Sequence, residues 1–215
     1  MIETPEDILS IEEQDILQEI MNIGFGSAAA DLASVINLHV ILSVPTINII
    51  ESVRLLDYIK AEIRDYPDVS VIEQNFYSKF KGVALLVFSG ASGKTLLSLI
   101  AEDEAGSLVK SDPIQILEKE TLMELGNILV GACVGKVADL LGDIVSYSPP
   151  RIITGNMTDG DISEDMIDPK NIVIIMQAVF HFENKNVEGY LFLVTSHESI
   201  DWLKQATRNF LQQYE

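Results

Sequence analysis

Cysteine is almost missing from the 215 residues: Cys133 is the only one. With no second thiol, the chain can close no intrachain disulfide and build no thiolate metal cluster. Basic residues are scarce too, 14 Lys and Arg against 33 Asp and Glu, for a formal net charge of −19. So acidic a chain cannot neutralise a phosphate backbone, which excludes nucleic acid as a partner. Anionic membrane surfaces are disfavoured for the same reason. The longest apolar runs, such as Val83 to Phe88, are far shorter than the roughly 20 residues that cross a bilayer, so no membrane insertion is expected. Met1 to Ser10 lacks the basic and apolar regions of a secretory signal. A soluble, cytoplasmic protein is expected. What is there is the mix of a folded chain, 47% apolar and 22% charged. A chain of this length buries roughly 70% of its extended surface without staples.

An internal repeat is the first positive feature. Displaced by 105 residues, Ile11 to Ile47 falls on Ile116 to Ile152. Glu13, Glu19, Asn22, Gly26, Ser43 and Pro45 then meet identical residues: Glu118, Glu124, Asn127, Gly131, Ser148 and Pro150. Further on the offset becomes 107, and Gly82 to Ser89 faces Gly189 to Ser196. The reading is one domain over 1–215, made of a first repeat at about 8–105 and a second at about 112–215. Two units of this size pack as a pseudo-two-fold pair. No low-complexity linker separates them, and Lys110 to Pro113 is the junction.

Each unit reads as helix, strands, helix, so the fold class is α/β (α+β). Residues 11–36 carry Ile16, Ile20, Ile23, Ala30, Ala33 and Ile36 at helical spacing. Ser10 and Glu13 have the form of a capping box. His39 to Ile50 is β-branched and reads as strand. Residues 69–79 and 82–89 read as a hairpin, and Ala91 to Glu102 as a helix. The second unit offers a helix from Pro113 to Leu141, then strands near 144–154, 171–182 and 188–195. A last helix runs from Ser199 to Gln213, with Ile200, Leu203, Phe210, Leu211 and Tyr214 on one stripe. The acidic stretch Gly155 to Lys170 reads as a loop.

Two residues that both copies share are polar and lie inside the first helix of each. Glu19 and Asn22 are three apart and so lie on one helix face, with Asp15 extending the stripe. In the second copy the stripe is Glu120, Glu124 and Asn127. Alone, such a pair reads as a solvated face. The distance to proline adds to it: 22 residues separate Asn22 from Pro45, and 22 separate Asn127 from Pro150. Asp or Ser, three residues, Glu, two residues, Asn, 22 residues and Pro resembles the signature of the CheC/CheX/FliY chemotaxis phosphatases. Asp15, Glu19, Asn22 and Pro45 match it in full. The second copy departs at Glu120, where the family prefers Asp or Ser. Within the family, CheX would be shorter with one motif, and FliY and FliM carry a further C-terminal domain. With two motifs and an end at Glu215, the chain is most similar to CheC.

The resemblance implies a phosphatase acting on the aspartyl phosphate of a CheY-like receiver, with two exposed motif helices packed on a β-sheet. Such an acyl phosphate is already activated, and the receiver brings its own Mg²⁺ and lysine, so no cofactor or metal of this chain is required. Catalysis of phosphoryl transfer is then positioning and electrostatics. A carboxamide can accept a hydrogen bond from the attacking water and does not titrate near neutral pH. Asn22 and Asn127 are the implied water-positioning residues. Glu19 and Glu124 would reach a receiver cation and fix the dock. Asp15 and Glu120 are peripheral docking contacts, and Pro45 and Pro150 structural members of the motif.

A non-catalytic module binding phosphorylated receiver is the rival from another class, and CheD, a partner CheC proteins can have, is a further candidate. A flagellar-switch component is the third. Other features weigh less. Ser89 to Thr95 has Phe88 where a phosphate-binding loop needs glycine, and reads as a strand-to-helix turn. Asp159-Gly-Asp161 lacks the other ligands of a calcium loop. His39, His181 and His197 are scattered and suggest no catalytic grouping. Cys133 reads as a small buried residue, and Gly24, Gly26 and Gly131 as close helix packing.

Overall fold

The computed structural model describes residues 8–36, 39–63, 69–89, 92, 95, 113–154, 157–158, 172–183 and 187–212. The elements, in chain order, are α1 (Ile11–Ile36), β1 (Val40–Leu42), β2 (Thr46–Glu51) and, after a 3₁₀ turn (Ser52–Arg54), α2 (Leu55–Glu62), β3 (Val69–Tyr77) and β4 (Gly82–Ser89). Then come α3 (Pro113–Leu140), β5 (Ser146–Tyr147), β6 (Arg151–Thr154), β7 (Ile172–Phe182), β8 (Glu188–Ser196), a second 3₁₀ turn (His197–Ser199) and α4 (Ile200–Gln212). The α+β class is as expected. The expected helix Ala91 to Glu102 lies outside the described residues except Ser92 and Thr95. So do the 155–170 loop, except Met157 and Thr158, and most of the junction before Pro113. Among the described residues no helix is long and apolar enough to cross a membrane.

All eight strands join one antiparallel sheet in the order β1-β7-β8-β4-β3-β5, with β2 also along β7 and β6 also along β3. The order is unchanged when β1–β4 are exchanged for β5–β8. The two hairpins meet at its centre, where Gly82 pairs with Thr195 and Phe88 with Gly189. Each half lends its first two strands to the long strand of the other: Val40–Leu42 and Thr46–Glu51 lie along β7, Ser146–Tyr147 and Arg151–Thr154 along β3. The single strand expected over His39 to Ile50 is therefore two. The break falls at Ser43-Val44-Pro45, where proline has no N–H to give a ladder. Ser148-Pro149-Pro150 makes the matching break between β5 and β6.

Strand residues alternate between two apolar layers. Ile72, Phe76, Leu86, Phe88, Met176 and Leu193 face α1, α3 and α4. Val71, Val83, Leu85, Val87, Ile175 and Phe192 face the other way, under Leu55, Ile59 and Ile63 of α2 and the turn that follows. This explains why β4 and β8 are almost wholly apolar: both of their faces are covered. The short helix α2 has no counterpart in the sequence reading, because eight residues carry too little periodicity to separate it from strand or turn.

The buried face of α1 differs from the expected stripe. Leu17, Ile20, Met21, Phe25, Ala28 and Leu32 are buried, whereas Ile23 is 41% exposed and Ala30 is exposed. On α4, Ala206 and Thr207 join Ile200, Leu203 and Phe210 inside, and Leu211 points out at 36% exposure. Thr207 is admitted because its hydroxyl donates to the Leu203 and Lys204 carbonyls. The capping box forms: the Ser10 N–H donates to Glu13 Oε2 (3.0 Å) and the Glu13 N–H to Ser10 Oγ (3.2 Å). α3 ends in a Schellman turn at Gly142, whose φ of 71° suits glycine. There the Asp143 N–H reaches the Ala138 carbonyl and the Gly142 N–H the Asp139 carbonyl.

Candidate functional site

α1 and α3 pack against each other on the same face of the sheet. A Cβ built on Gly24 would lie 3.1 Å from the Val137 side chain and 3.3 Å from its backbone nitrogen, so glycine lets the helices close up there. Gly26 and Gly131 differ from expectation, since a Cβ on either would meet nothing within 4 Å. The close packing on α3 is instead at Gly126, against the Ile72 side chain. Across the helix pair Lys136 Nζ bonds Asp31 Oδ2 at 2.8 Å. That contact and the Asp31 charge raise the Lys136 ammonium above its ordinary value.

With α1's inner face committed to the core, the 3.6-residue turn turns Asp15, Glu19 and Asn22 outward. All three are exposed. On α3 the same turn exposes Glu120, Glu124 and Asn127 around the buried Leu122, Leu125 and Leu129. The structure thus presents both stripes to solvent, each on its own helix. The prolines lie where the chain returns beneath those helices. Pro45 is buried, and its carbonyl accepts a hydrogen bond from Gln18 Nε2 of α1 at 2.6 Å. Pro150 is half-buried beside the other break.

The serines two residues before these prolines do the same work in both halves. Ser43 receives the Val179 N–H on its hydroxyl (2.9 Å) and gives its own N–H to the Val179 carbonyl (2.7 Å). Ser148 treats Asn75 alike, at 3.1 and 3.0 Å. These bonds replace the ladder where the edge strand is interrupted, and hold the break in a set place under the motif helix.

One participant was missed by the sequence reading. Gln74 of β3 is 1% exposed and projects beneath α3. Its Nε2 donates to Asn127 Oδ1 at 2.6 Å and to the Ser148 carbonyl at 2.9 Å. Its Oε1 is buried without a partner among the described residues. A polar residue at an inward position, alternating with Ile72 and Phe76, was the available signal. Asn22 has no such neighbour: the residue before Val179, in the place Gln74 takes before Asn75, is Ala178.

Cys133 is buried, and burial pushes its thiol up to about 12, which leaves it unreactive. His39, His181 and His197 are exposed. At the turn after β4 the Ser92 N–H donates to Ser89 Oγ (3.2 Å). Among the described residues no three His, Cys, Asp or Glu side chains are grouped to hold a metal.

Comparison with known proteins agrees with this geometry. Residues 12–49, which carry the first motif from helix to proline, match the CheC-like family. The flagellar motor switch phosphatase FliY of Bacillus subtilis is 27% identical over 175 residues, 80% of this chain and 43% of FliY. The chain therefore spans less than half of that relative. The CheY-P phosphatase CheC of the same organism is 22% identical over 204 residues, 89% of this chain and 92% of CheC. The crystal structure of Thermotoga maritima FliY superposes with a TM-score of 0.62, at 22% identity and 99% coverage of both chains, and so shares the fold. In motif, fold and relatives together, the chain is similar to the CheC-type chemotaxis proteins.

Proposed function

We propose that the protein hydrolyses the aspartyl phosphate of a CheY-like receiver, working from the outer faces of α1 and α3. The observation that carries this reading is the exposure of Glu19 with Asn22 and of Glu124 with Asn127, each pair one helical turn long and held over a fixed strand break. Relatives named as CheY-P phosphatases support the same reaction class.

In this reading the receiver supplies Mg²⁺ and a lysine, and the phosphoryl group arrives already activated. Glu19 or Glu124 pairs with a receiver cation and sets the distance of approach. The neighbouring Asn accepts a hydrogen bond from a water and aligns it opposite the leaving carboxylate. The P–O bond to the receiver aspartate breaks as the water oxygen bonds to phosphorus. The aspartate carboxylate and inorganic phosphate leave, and the water's proton goes to phosphate. Such alignment contributes through lost rotational freedom and through fixed dipoles. Asp15 and Glu120 lie one turn earlier on the stripes and serve the rim of the dock, where rim charges mainly govern association rate.

The test is phosphate release from a CheY receiver phosphorylated with a small-molecule donor. Asn22→Ala with Asn127→Ala should reduce kcat by roughly a hundredfold, the usual scale for a positioned catalytic group. Glu19→Gln should act mainly on KM. An undiminished rate in the double variant would overturn the mechanism, and receiver binding without phosphate release would favour the non-catalytic module.

A further inference from the structure

The two asparagines are not equivalent, and Gln74 makes the difference. The Ser148 carbonyl can only accept a hydrogen bond, and it is pinned by the exchange between Ser148 and Asn75. Gln74 must therefore turn its NH₂ toward it, at 2.9 Å. The second proton of that NH₂ points at Asn127, which must answer with an acceptor, its Oδ1, at 2.6 Å. The flip of Asn127 is thus dictated by a backbone carbonyl through a buried relay. Gln74 leaves its own Oε1 buried and unpartnered among the described residues to do so, an arrangement that normally costs stability.

We propose that Gln74 is a positioning residue that restrains the second site, by turning the Asn127 carboxamide with its oxygen inward and its NH₂ to solvent. This rests on the phosphatase reading above for its catalytic consequence. The oxygen that would accept the water's hydrogen is turned inward onto Gln74, so the second site meets the phosphoryl group with a donor. It holds phosphorylated receiver and hydrolyses it slowly. Asn22 has no hydrogen-bond partner among the described residues, since Ala178 stands where the relay would begin. Its carboxamide is free to turn either end outward, and the first site carries most of the turnover.

The experiment uses the full chain and a phosphorylated CheY receiver. In the Asn22→Ala background only the second site remains. Adding Gln74→Met there, which keeps the volume and removes the donor, should raise kcat about fivefold at unchanged KM, equivalent to about 1 kcal/mol. The same change in the Asn127→Ala background should leave kcat alone, which a merely structural residue would not do. A fall or no change in the first background overturns the proposal. Side-chain amide NMR of the unaltered chain gives a readout independent of both activity and variant folding. The Gln74 NH₂ should be protected from exchange and close to Asn127, and rapid exchange would overturn the relay. If the Asn22→Ala, Asn127→Ala chain keeps full activity while the unaltered chain shows this NMR signature, the asparagine mechanism fails and the relay stands; if the unaltered chain releases no phosphate, the phosphatase reading itself fails.

Discussion

At the scale of single residues, the glycines separate into those the fold needs and those it does not. A Cβ on Gly82 would lie 2.1 Å from the Val194 carbonyl oxygen, and one on Gly189 2.5 Å from that of Val87. Backbone cannot yield there, so the central strands can approach only through glycine. Gly26 and Gly131 follow Asn22 and Asn127 by one turn, and the space over each is open. Glycine inside a helix costs about 1 kcal/mol relative to alanine. No contact among the described residues offsets that cost. Gly26→Ala should therefore raise the midpoint of thermal unfolding by the equivalent of about 1 kcal/mol. Under the proposed function it should also raise KM for phosphorylated receiver. A more stable protein with unchanged KM would take Gly26 out of the docking surface.

At the scale of elements, the start of α1 is fastened twice. Ser10 and Glu13 close the capping box, and Glu13 Oε1 accepts from Arg208 Nη2 of α4 at 2.8 Å. Burial raises the Glu13 carboxyl, but the Ser10 N–H and the Arg208 and Lys204 charges outweigh it and hold it below its ordinary 4.5. A folded-state value below the unfolded one means that the unfolded chain binds the proton more tightly. The stability Glu13 supplies is thus fully present above pH 4.5 and lost as pH falls through the lowered value. Asp143 behaves alike. Burial opposes its charge, yet Ser78 and the N–H groups of Phe80, Ile144 and Lys79 bring it below 3.8. Thermal unfolding followed from neutral pH down to about pH 3 should decline through this acid window. Glu13→Gln should shallow the decline and lower the neutral plateau by about 1 kcal/mol, the usual value of a helix cap.

At the scale of the whole molecule, the sheet is built by exchange. β1 and β2 complete the edge beside β7, and β5 and β6 complete the edge beside β3. Neither half owns a finished sheet. The helix pair carries one contact that joins the halves. Asp31 and Lys136 hold the same place in the two halves, 105 residues apart, and bond each other at 2.8 Å. Identical residues would face each other there as like charges, whereas Asp and Lys attract. Asp31→Lys and Lys136→Asp should each lower the unfolding midpoint, and the two together should recover it in a double-mutant cycle. Independent losses that simply add would show that this contact does not help match the halves.

Much of the molecule was legible along the chain because it depends on local chemistry. The 3.6-residue period delimited α1 and α3, the Ser10–Glu13 spacing announced the cap, and apolar runs marked β4 and β8. The doubled Glu-x-x-Asn with its proline pointed to the family. Other features depend on what lies opposite. Ile23 and Leu211 fit an apolar stripe by spacing but face solvent, because only the packed neighbours decide which edge of a stripe is covered. Gly24 meets a tight neighbour while Gly26 and Gly131 meet none among the described residues, although the three read alike in sequence. Gln74 lies 53 residues from Asn127, and no local pattern ties them. The sequence by itself determined two matched helices, each exposing a carboxylate and a carboxamide. Only the tertiary structure decided that one carboxamide is held by a buried donor and the other is not, because that hydrogen bond exists only once β3 of one half lies beneath the helix of the other.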